Sequence, residues 1–193
     1  MPEGARSVRG RLIVISAPSG SGKTSIAKEI MRRNPSLTFS VSATTRKKRE
    51  GEVEGKDYFF LTRDEFKRRV AAGDFVEWEE IYGDYYGTLR KEVDRALIGG
   101  QHIVFDVDVK GGLSIKRQYP ETLAVFIQPP DVGTLHDRLV HRRTESEATI
   151  ARRMQRVPME MEMGKQFEHQ VVNDDLARAI DKVQMIVKTY LDT

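Results

Sequence analysis

The chain has 193 residues, of which 39% are hydrophobic and 32% are charged, with a formal net charge of +3. Because domains average about 150 residues, this length predicts one compact domain with room for a small inserted lobe. The composition is that of a globular protein with a real core rather than of a disordered, collagen-like or coiled-coil chain, and the small positive excess does not by itself indicate nucleic-acid binding.

The sequence contains no cysteine, which excludes disulfides, thiol catalysis and thiolate metal sites and is typical of a reducing compartment. The longest unbroken apolar run, Leu123 to Ile127, is far shorter than the roughly 18 residues that cross a bilayer. The apolar stretch behind the polar, basic start is too short for a secretory signal, so we expect a cytoplasmic protein. The histidines show no metal-binding spacing and are interpreted as surface or packing residues: His102, His136, His141 and His169.

The first predicted element is a short apolar strand at Arg11–Ser16. A Gly-rich turn and a helix over Thr24–Arg33 follow it, and Asn34-Pro35 ends that helix. Alternation of side chains then predicts strands over Phe39–Ser42 and Tyr58–Leu61. The chain therefore begins with a strand, a turn and a helix in direct succession.

The stretch from residue 38 to 88 differs in character from the segment before it. It is polar and turn-rich between its predicted strands, and Thr62-x-x-Glu65 forms a capping box that opens a short helix. We interpret residues 38–88 as a lobe inserted into the main domain.

Regular alternation of strands and helices resumes after the lobe. A helical stripe from Leu89 to Leu97 is ended by Gly99-Gly100, and strands are predicted at His102–Val107 and Leu123–Gln128, on either side of a basic helix. Strands separated by helices of roughly 10 to 15 residues indicate β-α-β units. We therefore predict an α/β fold with a parallel sheet and helices on both faces.

The last third of the chain begins with a strongly charged helical segment, residues 131 to 164, which we expect to be mobile. Thr144-x-x-Glu147 forms a second capping box there, and Pro158 predicts a kink or break. A last short strand is predicted at Gln170–Asn173, followed by the amphipathic stripe of a closing helix.

The strongest motif is the turn between the first strand and the first helix, which matches GxxxxGK[ST] except for alanine at the first glycine. Its residues are Ala17, Pro18, Ser19, Gly20, Ser21, Gly22, Lys23 and Thr24. Such a loop directs backbone N–H groups onto phosphate oxygens, and the helix N-terminus adds the positive end of its dipole. Lys23 is predicted to reach the β- and γ-phosphates, and the Thr24 hydroxyl to ligate magnesium. A Gly-rich helix start that binds nothing is the alternative.

A basic run in the lobe is the candidate site for a phosphorylated acceptor. Residues 46–49 are all cations beside turn glycines, and Arg46 and Arg49 can fork onto one phosphate monoester. From the charge run alone, a solvated basic turn or a nucleic-acid patch is an equally good interpretation.

The sequence resembles the guanylate kinase family from about residue 11 to 191. The resemblance is carried by APSGSGKT at 17–24, SVSATTR at 40–46, GEVEGKDYFF at 51–60, FVEW at 75–78, GDYYGT at 83–88, FDVDVKG at 105–111, RTESEATIARR at 143–153 and VVNDDL at 171–176. It implies a single P-loop domain over 1–193, with a core of 11–37, 89–137 and 161–193, a GMP-binding lobe over 38–88 and a basic lid over 138–160. The implied reaction is ATP + GMP giving ADP + GDP, with Mg²⁺, in purine nucleotide metabolism and GMP or dGMP recycling.

Matching positions imply the roles of individual residues. For GMP these are Arg46, Arg49, Tyr58 and Tyr86 at the phosphate, Ser42, Glu77, Thr88 and Asp108 at the guanine, with Gly87 and Asp106 beside them. For ATP they are the phosphate loop and Asn173, and the catalytic cations are Lys23, Arg46, Arg138, Arg142 and Arg153. Guanine presents N1–H and N2–H₂ as adjacent donors, so a carboxylate can accept from both, whereas N1 of adenine would repel it.

Each role has a plainer alternative. Glu77 reads equally as an exposed strand-edge carboxylate, and Tyr58 and Tyr86 as core aromatics. Asp106 follows an apolar strand, the usual place for an aspartate on the magnesium side. It reads otherwise as an ordinary strand-terminating residue. The implied ligands of Mg²⁺ are Thr24 and Asp106, which contact the ion partly through water. We name no general base, because loose phosphoryl transfer needs charge and alignment more than a strong base.

Three residues depart from the family pattern: Lys48, Lys110 and Arg143. Two other functions compete with the kinase: a guanylate-kinase-like scaffold domain that binds proteins, and a P-loop kinase for a ribose-phosphate. The intact phosphate loop and the two acceptor arginines, Arg46 and Arg49, argue against the scaffold domain. The residues that match the guanine site, Ser42, Glu77 and Thr88, argue against the ribose-phosphate kinase. The expected partners are ATP and GMP, with dGMP as a further acceptor, and neither nucleic acid, membrane nor an obligate protein partner is expected.

Overall fold

The computed structural model describes residues 10–81, 83–141 and 147–193. Its strands are β1 (Leu12–Ser16), β2 (Leu37–Phe39), β3 (Ala43–Thr44), β4 (Phe59–Phe60), β5 (Phe75–Ile81), β6 (Asp84–Leu89), β7 (His102–Asp106), β8 (Leu123–Gln128) and β9 (His169–Val172). Its helices are α1 (Lys23–Arg33), α2 (Arg63–Ala71), α3 (Arg90–Ile98), α4 (Val109–Gln118), α5 (Val132–His141), α6 (Glu147–Gly164) and α7 (Leu176–Asp192). In this described part, no helix has the length and apolar character needed to cross a membrane.

Five strands form a parallel sheet in the order β2-β7-β1-β8-β9, which confirms the predicted α/β fold. Every residue of the central strand β1 is buried. Its side chains alternate between the two faces, so Ile13 and Ile15 enter a core with α1 and α7, and Leu12 and Val14 enter one with α3 and α4. Helices on both faces leave the carboxyl edge of the sheet as the place for a ligand.

A second sheet, in the order β4-β3-β6-β5, forms the body of the predicted lobe. It has its own small core, in which Phe66 of α2 stacks on Phe75 of β5 with ring centroids 4.4 Å apart. The Thr62 hydroxyl accepts from the Glu65 backbone N–H at 3.2 Å, so α2 begins where the capping box predicts. The sequence analysis predicts neither β5 nor β6.

The predicted single strand Phe39–Ser42 is wrong, because this stretch crosses from one sheet to the other. β2 pairs with β7 in the large sheet, and β3 pairs with β4 and β6 in the small one. Between them the N–H of Ser40 still donates to Val104 of β7, whereas the carbonyl of Ser42 already accepts from Phe59. An extended crossing has the same alternation as a strand, so the pattern could not separate the two.

Pro158 does not break the helix, so the predicted break at this residue is wrong. It lies inside α6, which continues from Glu147 to Gly164. Ile150 and Val157 on the same helix are buried, so packing holds the helix although proline removes one backbone hydrogen bond. Thr144 of the second capping box lies outside the described residues.

Candidate active site

The phosphate loop runs from the end of β1 to the start of α1. Gly20 and Gly22 have φ angles of 91° and 90°, a left-handed conformation that favours glycine. A Cβ on Gly22 would lie 2.4 Å from Nδ2 of Asn173, and that amide donates to the carbonyl of Ser21 at 2.8 Å. Asn173, which directly follows β9, therefore braces the loop, so this predicted ATP-binding residue lies at the loop.

Lys23 and Thr24 at the start of α1 both contact Asp106 at the end of the neighbouring strand β7. Nζ of Lys23 is 2.7 Å from Oδ1 of Asp106 and donates to the carbonyl of Val107 at 2.9 Å. The Thr24 hydroxyl donates to Oδ2 at 3.1 Å. A hydroxyl and a carboxylate side by side, with open space for phosphates and water, are a donor set that suits Mg²⁺.

One predicted lid arginine contacts the loop, and a second contacts Asn173, which braces it. Nη1 of Arg153 on α6 donates to the hydroxyl of Ser19 at 2.8 Å, and Nη2 of Arg138 on α5 donates to the carbonyl of Asn173 at 3.0 Å. The third, Arg142, lies outside the described residues, as does Arg143. The loop and α6 enclose a cavity of about 270 Å³, lined by Ala17, Pro18, Ser19, Gly20, Gly22, Lys23, Thr24, Ile81, Asp108, Arg153, Arg156 and Glu160.

A larger cavity of about 750 Å³ lies at the opposite, amino edge of the sheet, between the start of β1, the end of α4 and α7. It contains none of the predicted site residues. The smaller cavity is the candidate active site because the charged groups and the phosphate loop converge there.

Glu77 of β5 is 9% exposed, so the interpretation as an exposed strand-edge carboxylate is wrong. The Thr88 hydroxyl of the paired strand β6 donates to its Oε1 at 2.7 Å. Burial raises the pKa of Glu77 to about 7, against the opposing effect of the Thr88 hydrogen bond, and the nearby charge of Asp108 raises it further.

Asp108 lies next to Glu77, with Gly111 between them. Asp108 caps α4 by accepting from the Gly111 N–H at 2.8 Å. A Cβ on Gly111 would be 2.9 Å from Oε2 of Glu77 and 3.2 Å from Oδ1 of Asp108. At Gly87, a Cβ would lie 2.8 Å from the carbonyl oxygen of Glu77. The absence of a side chain at Gly111 therefore leaves room between the two carboxylates, the pocket around Glu77, and Gly87 lets β6 lie close to the backbone of β5.

The raised pKa of Glu77 predicts a pH-dependent stability for the ligand-free protein. A pKa raised from 4.5 to about 7 adds stability below pH 4.5 that is lost as the pH rises through 7, because the folded state then buries a charge. Glu77→Gln stays neutral, so its free energy of unfolding relative to the parent should rise by up to about 3 kcal/mol between pH 5 and pH 8. Urea unfolding at both pH values measures this difference.

Glu80→Gln is the matched control, because Glu80 lies on the same strand and is exposed. Because its side chain is exposed, this substitution removes no buried carboxylate and should have little effect on the free energy of unfolding. An effect of Glu77→Gln that is equal at pH 5 and pH 8 would contradict the raised pKa.

The predicted phosphate-holding residues of the lobe are partly assembled. The Arg46 guanidinium lies 5.3 Å from the centroid of the Tyr58 ring, and Tyr58 meets Tyr86 edge-on with centroids 6.3 Å apart. Both tyrosines therefore line the space around Arg46. The Arg49 side chain is exposed on the turn beside them. Ser42 is half-buried at the crossing between the two sheets.

Sequence reasoning missed Glu52, which organises this basic turn. Its Oε1 is 2.6 Å from Nη2 of Arg46, and its Oε2 accepts from the backbone N–H of Arg49 at 2.7 Å. The hydrogen bond from Arg46 lowers the pKa of Glu52. It also missed Arg156 and Glu160, although their spacing of four residues on a helix is a signal for an ion pair.

Two of the residues that depart from the family pattern have described surroundings. Nζ of Lys110 lies 3.9 Å from Oε1 of Glu79 on β5, with 54% of its side chain exposed. Lys48 is exposed on the basic turn. Neither side chain lines the cavity at the phosphate loop.

Comparison with known proteins gives a consistent result. A sequence model of the family described as guanylate kinase matches residues 9–190. A guanylate kinase of Thermotoga maritima is 43% identical over 182 residues, which cover 94% of this chain and 88% of that protein. One of Symbiobacterium thermophilum is 42% identical over 179 residues, which cover 93% and 85%. A crystal structure of guanylate kinase from Anaplasma phagocytophilum superposes with a TM-score of 0.74 at 28% identity, covering 94% of this chain and 86% of that one.

Proposed function

The chain belongs to the guanylate kinase family, and we propose that its phosphate loop holds ATP while the pocket around Glu77 holds the guanine of GMP. It is a nucleoside monophosphate kinase, which transfers the γ-phosphoryl group of ATP to GMP and releases ADP and GDP. The observation that supports the division into two subsites is the buried pair of Glu77 and Thr88, which lies beside the loop and not in it.

On the ATP side, the loop supplies backbone N–H groups and Lys23 supplies the charge. Lys23 is already held by Asp106 and Val107 at the sheet edge, so its ammonium is fixed close to where the β- and γ-phosphates would lie. Arg153 contacts the same loop from α6, and Arg138 contacts Asn173 beside it from α5. Because the transition state of phosphoryl transfer is loose, these cations act by alignment and by charge stabilisation.

Family members use ATP with a divalent metal, which we take to be Mg²⁺ held by Thr24 and Asp106. When bound, the ion neutralises phosphate charge and orients the transferred group. We place the reaction in the cytoplasm, where ATP and GMP are present.

On the acceptor side, Glu77 accepts from N1–H and N2–H₂ of guanine. The hydroxyl of Thr88 already donates to Glu77, so its role is to orient that carboxylate rather than to bind O6 of the base. Ionised Glu77 is the form that accepts from both donors, so GMP binding favours loss of its proton. Asp108, on the other side of Gly111, provides a second acceptor for the same base edge.

The GMP phosphate is assigned to the space between Arg46, Arg49, Tyr58 and Tyr86. Arg46 uses two nitrogens on Glu52 and keeps further N–H donors for a phosphate. Glu52 therefore holds the arginine in place before the substrate binds. The side chain of Arg49 is exposed on the same turn, so it can move onto the same phosphate.

The competing functions are less well supported by the geometry. A scaffold domain that binds proteins has no need for Lys23 and Thr24 to contact a strand-end aspartate at the phosphate loop. A kinase for a ribose-phosphate has no need for a buried carboxylate pocket.

The acceptor is tested by an assay of ADP release with GMP, dGMP, AMP, UMP, dTMP and no acceptor. We expect turnover with GMP and dGMP and only background with AMP and the pyrimidines. Equal turnover of AMP and GMP would contradict the guanine pocket, and ADP release that needs no acceptor would contradict a nucleotide kinase.

We expect the lobe and the lid to close on the core when both substrates bind. The basic turn of the lobe and Arg153 of α6 gain phosphate partners only then, and closure excludes water from the transferring group. Hydrogen exchange in residues 38–88 and in α6 should slow with an ATP analogue plus GMP. The buried strand β8 serves as the internal control, and unchanged exchange in both segments would contradict closure.

A further inference from the structure

The guanidinium of Arg156 on α6 lies among three carboxylates that come from three elements. Nη2 is 2.9 Å from Oε1 of Glu79 on β5 and 3.1 Å from Oδ2 of Asp108 at the start of α4. Nε is 3.3 Å from Oε1 of Glu160, one turn further along α6. Arg156 is 25% exposed and the carboxylates are 16%, 18% and 8% exposed, so the cluster is largely shielded from water.

Two of these carboxylates adjoin the proposed guanine pocket. Glu79 lies two residues after Glu77 on β5, so both side chains leave the same face of the strand. Oδ1 of Asp108 accepts from the Gly111 N–H and Oδ2 from Arg156, so the two contacts together fix the direction of this carboxylate. Arg156 therefore joins the lobe and the core at the edge of the base site.

The cluster would be repulsive without the arginine. Glu79 and Asp108 approach the same nitrogen of Arg156, so their charges would face each other across a short gap if that nitrogen were removed. Lys110 also lies near Glu79, but at 3.9 Å and with 54% of its side chain exposed it compensates only part of this charge. Repulsion would move β5 away from α4 and widen the pocket.

We propose that Arg156 is a positioning residue for GMP binding. It fixes the orientation of the Asp108 carboxylate and keeps the lobe against the core. The inference rests on the proposed function, because it takes Glu77 and Asp108 as the groups that read guanine. Arg156 differs in this from Arg153, whose guanidinium contacts Ser19 of the phosphate loop. Arg156 also lines the cavity at the phosphate loop, but its described ion pairs are with Glu79, Asp108 and Glu160 and not with the loop. Loss of Arg156 should therefore weaken GMP binding and leave ATP binding and the transfer step nearly unchanged.

The test compares Arg156→Ala with Arg152→Ala, which removes an exposed arginine from the same helix. The parent enzyme is assayed first, and a parent that does not phosphorylate GMP would refute the proposed function rather than this inference. For Arg156→Ala we expect the KM for GMP and the calorimetric Kd of GMP to rise about tenfold or more, with kcat and the KM for ATP within about threefold. Arg152→Ala should match the parent in all four.

A second substitution tests whether Arg156 acts by compensating the charge of Glu79 that faces Asp108. Adding Glu79→Gln to Arg156→Ala removes one of the two facing charges, so it should restore part of the lost GMP affinity. A purely structural role for Arg156 predicts no such recovery. If the alanine variant does not fold, Arg156→Lys keeps the charge without the planar fork, and its KM for GMP should still exceed that of the parent.

Three outcomes would overturn the proposal. One is a fall in kcat with an unchanged KM for GMP, which would place Arg156 on the transferring phosphoryl group. Another is a lower melting temperature with unchanged kinetics, which would mean that the cluster only stabilises the fold. The third is a double variant that binds GMP no better than Arg156→Ala alone.

Discussion

Lys23→Ala is expected to lower phosphoryl transfer by at least about 10²- to 10³-fold while the protein stays folded. The ammonium of Lys23 is fixed by Asp106 at 2.7 Å and by the carbonyl of Val107 at 2.9 Å, next to the loop that would hold the phosphates. Its removal takes away a positive charge where negative charge must be stabilised. The side chain is 21% exposed and lies outside the apolar cores, so the fold does not depend on it.

The measurement is kcat for ADP release at saturating ATP and GMP, with circular dichroism and the melting temperature as checks on folding. Lys28→Ala is the matched control, because Lys28 lies on the same helix and is exposed. It should retain the activity of the parent. Transfer by Lys23→Ala within a few-fold of the parent would refute the role of this lysine in stabilising the transferring phosphoryl group.

Glu77→Gln is expected to reduce kcat/KM for GMP by about 10²- to 10³-fold. A charge-assisted hydrogen bond contributes about 1.5–3 kcal/mol, and an unpaired buried donor costs about 1–3 kcal/mol more. The amide of glutamine has one acceptor oxygen, and its N–H₂ group faces a donor of guanine when the oxygen faces the other. ATP binding should hardly change, because Glu77 does not line the cavity at the phosphate loop.

The test measures kcat/KM for GMP and AMP, together with the Kd of ATP, at pH 8, where Glu77 of the parent is mostly ionised. Glu80→Gln again serves as the control. A loss for GMP below about threefold, or a weakening of ATP as large as that of GMP, would show that Glu77 does not read the base. The same substitution should stabilise the ligand-free protein at this pH, so the parent gives up stability for recognition.

The parts of the site that the sequence predicted well are those built from neighbouring residues. The strand, turn and helix around Lys23 form one continuous stretch, residues 12–33, and their glycines and apolar runs are local signals. Strand β8 was predicted at its exact bounds because a buried strand in a parallel sheet is an uninterrupted apolar run. Asp106 at the end of β7 followed from the same pattern.

The parts that escaped prediction depend on contacts between distant residues. The burial of Glu77 results from the packing of β5 against β6 and α4, and a single glutamate between Val76 and Trp78 gives no sign of it in the sequence. Arg156 meets Glu79 across 77 positions and Asp108 across 48, and no local period encodes such a meeting. The pairing of Glu52 with Arg46 also needed the folded turn, since opposite charges six residues apart are common in any polar segment.

The brace between Asn173 and Ser21 has a consequence for how the enzyme is made. The two residues are 152 positions apart, so the loop leaves the ribosome well before the residue that braces it. A nascent chain that stops short of β9 carries the complete GxxxxGK sequence but lacks the amide that holds it in shape. We therefore expect nucleotide to stabilise a chain that includes β9 and Asn173 more than one that stops before them.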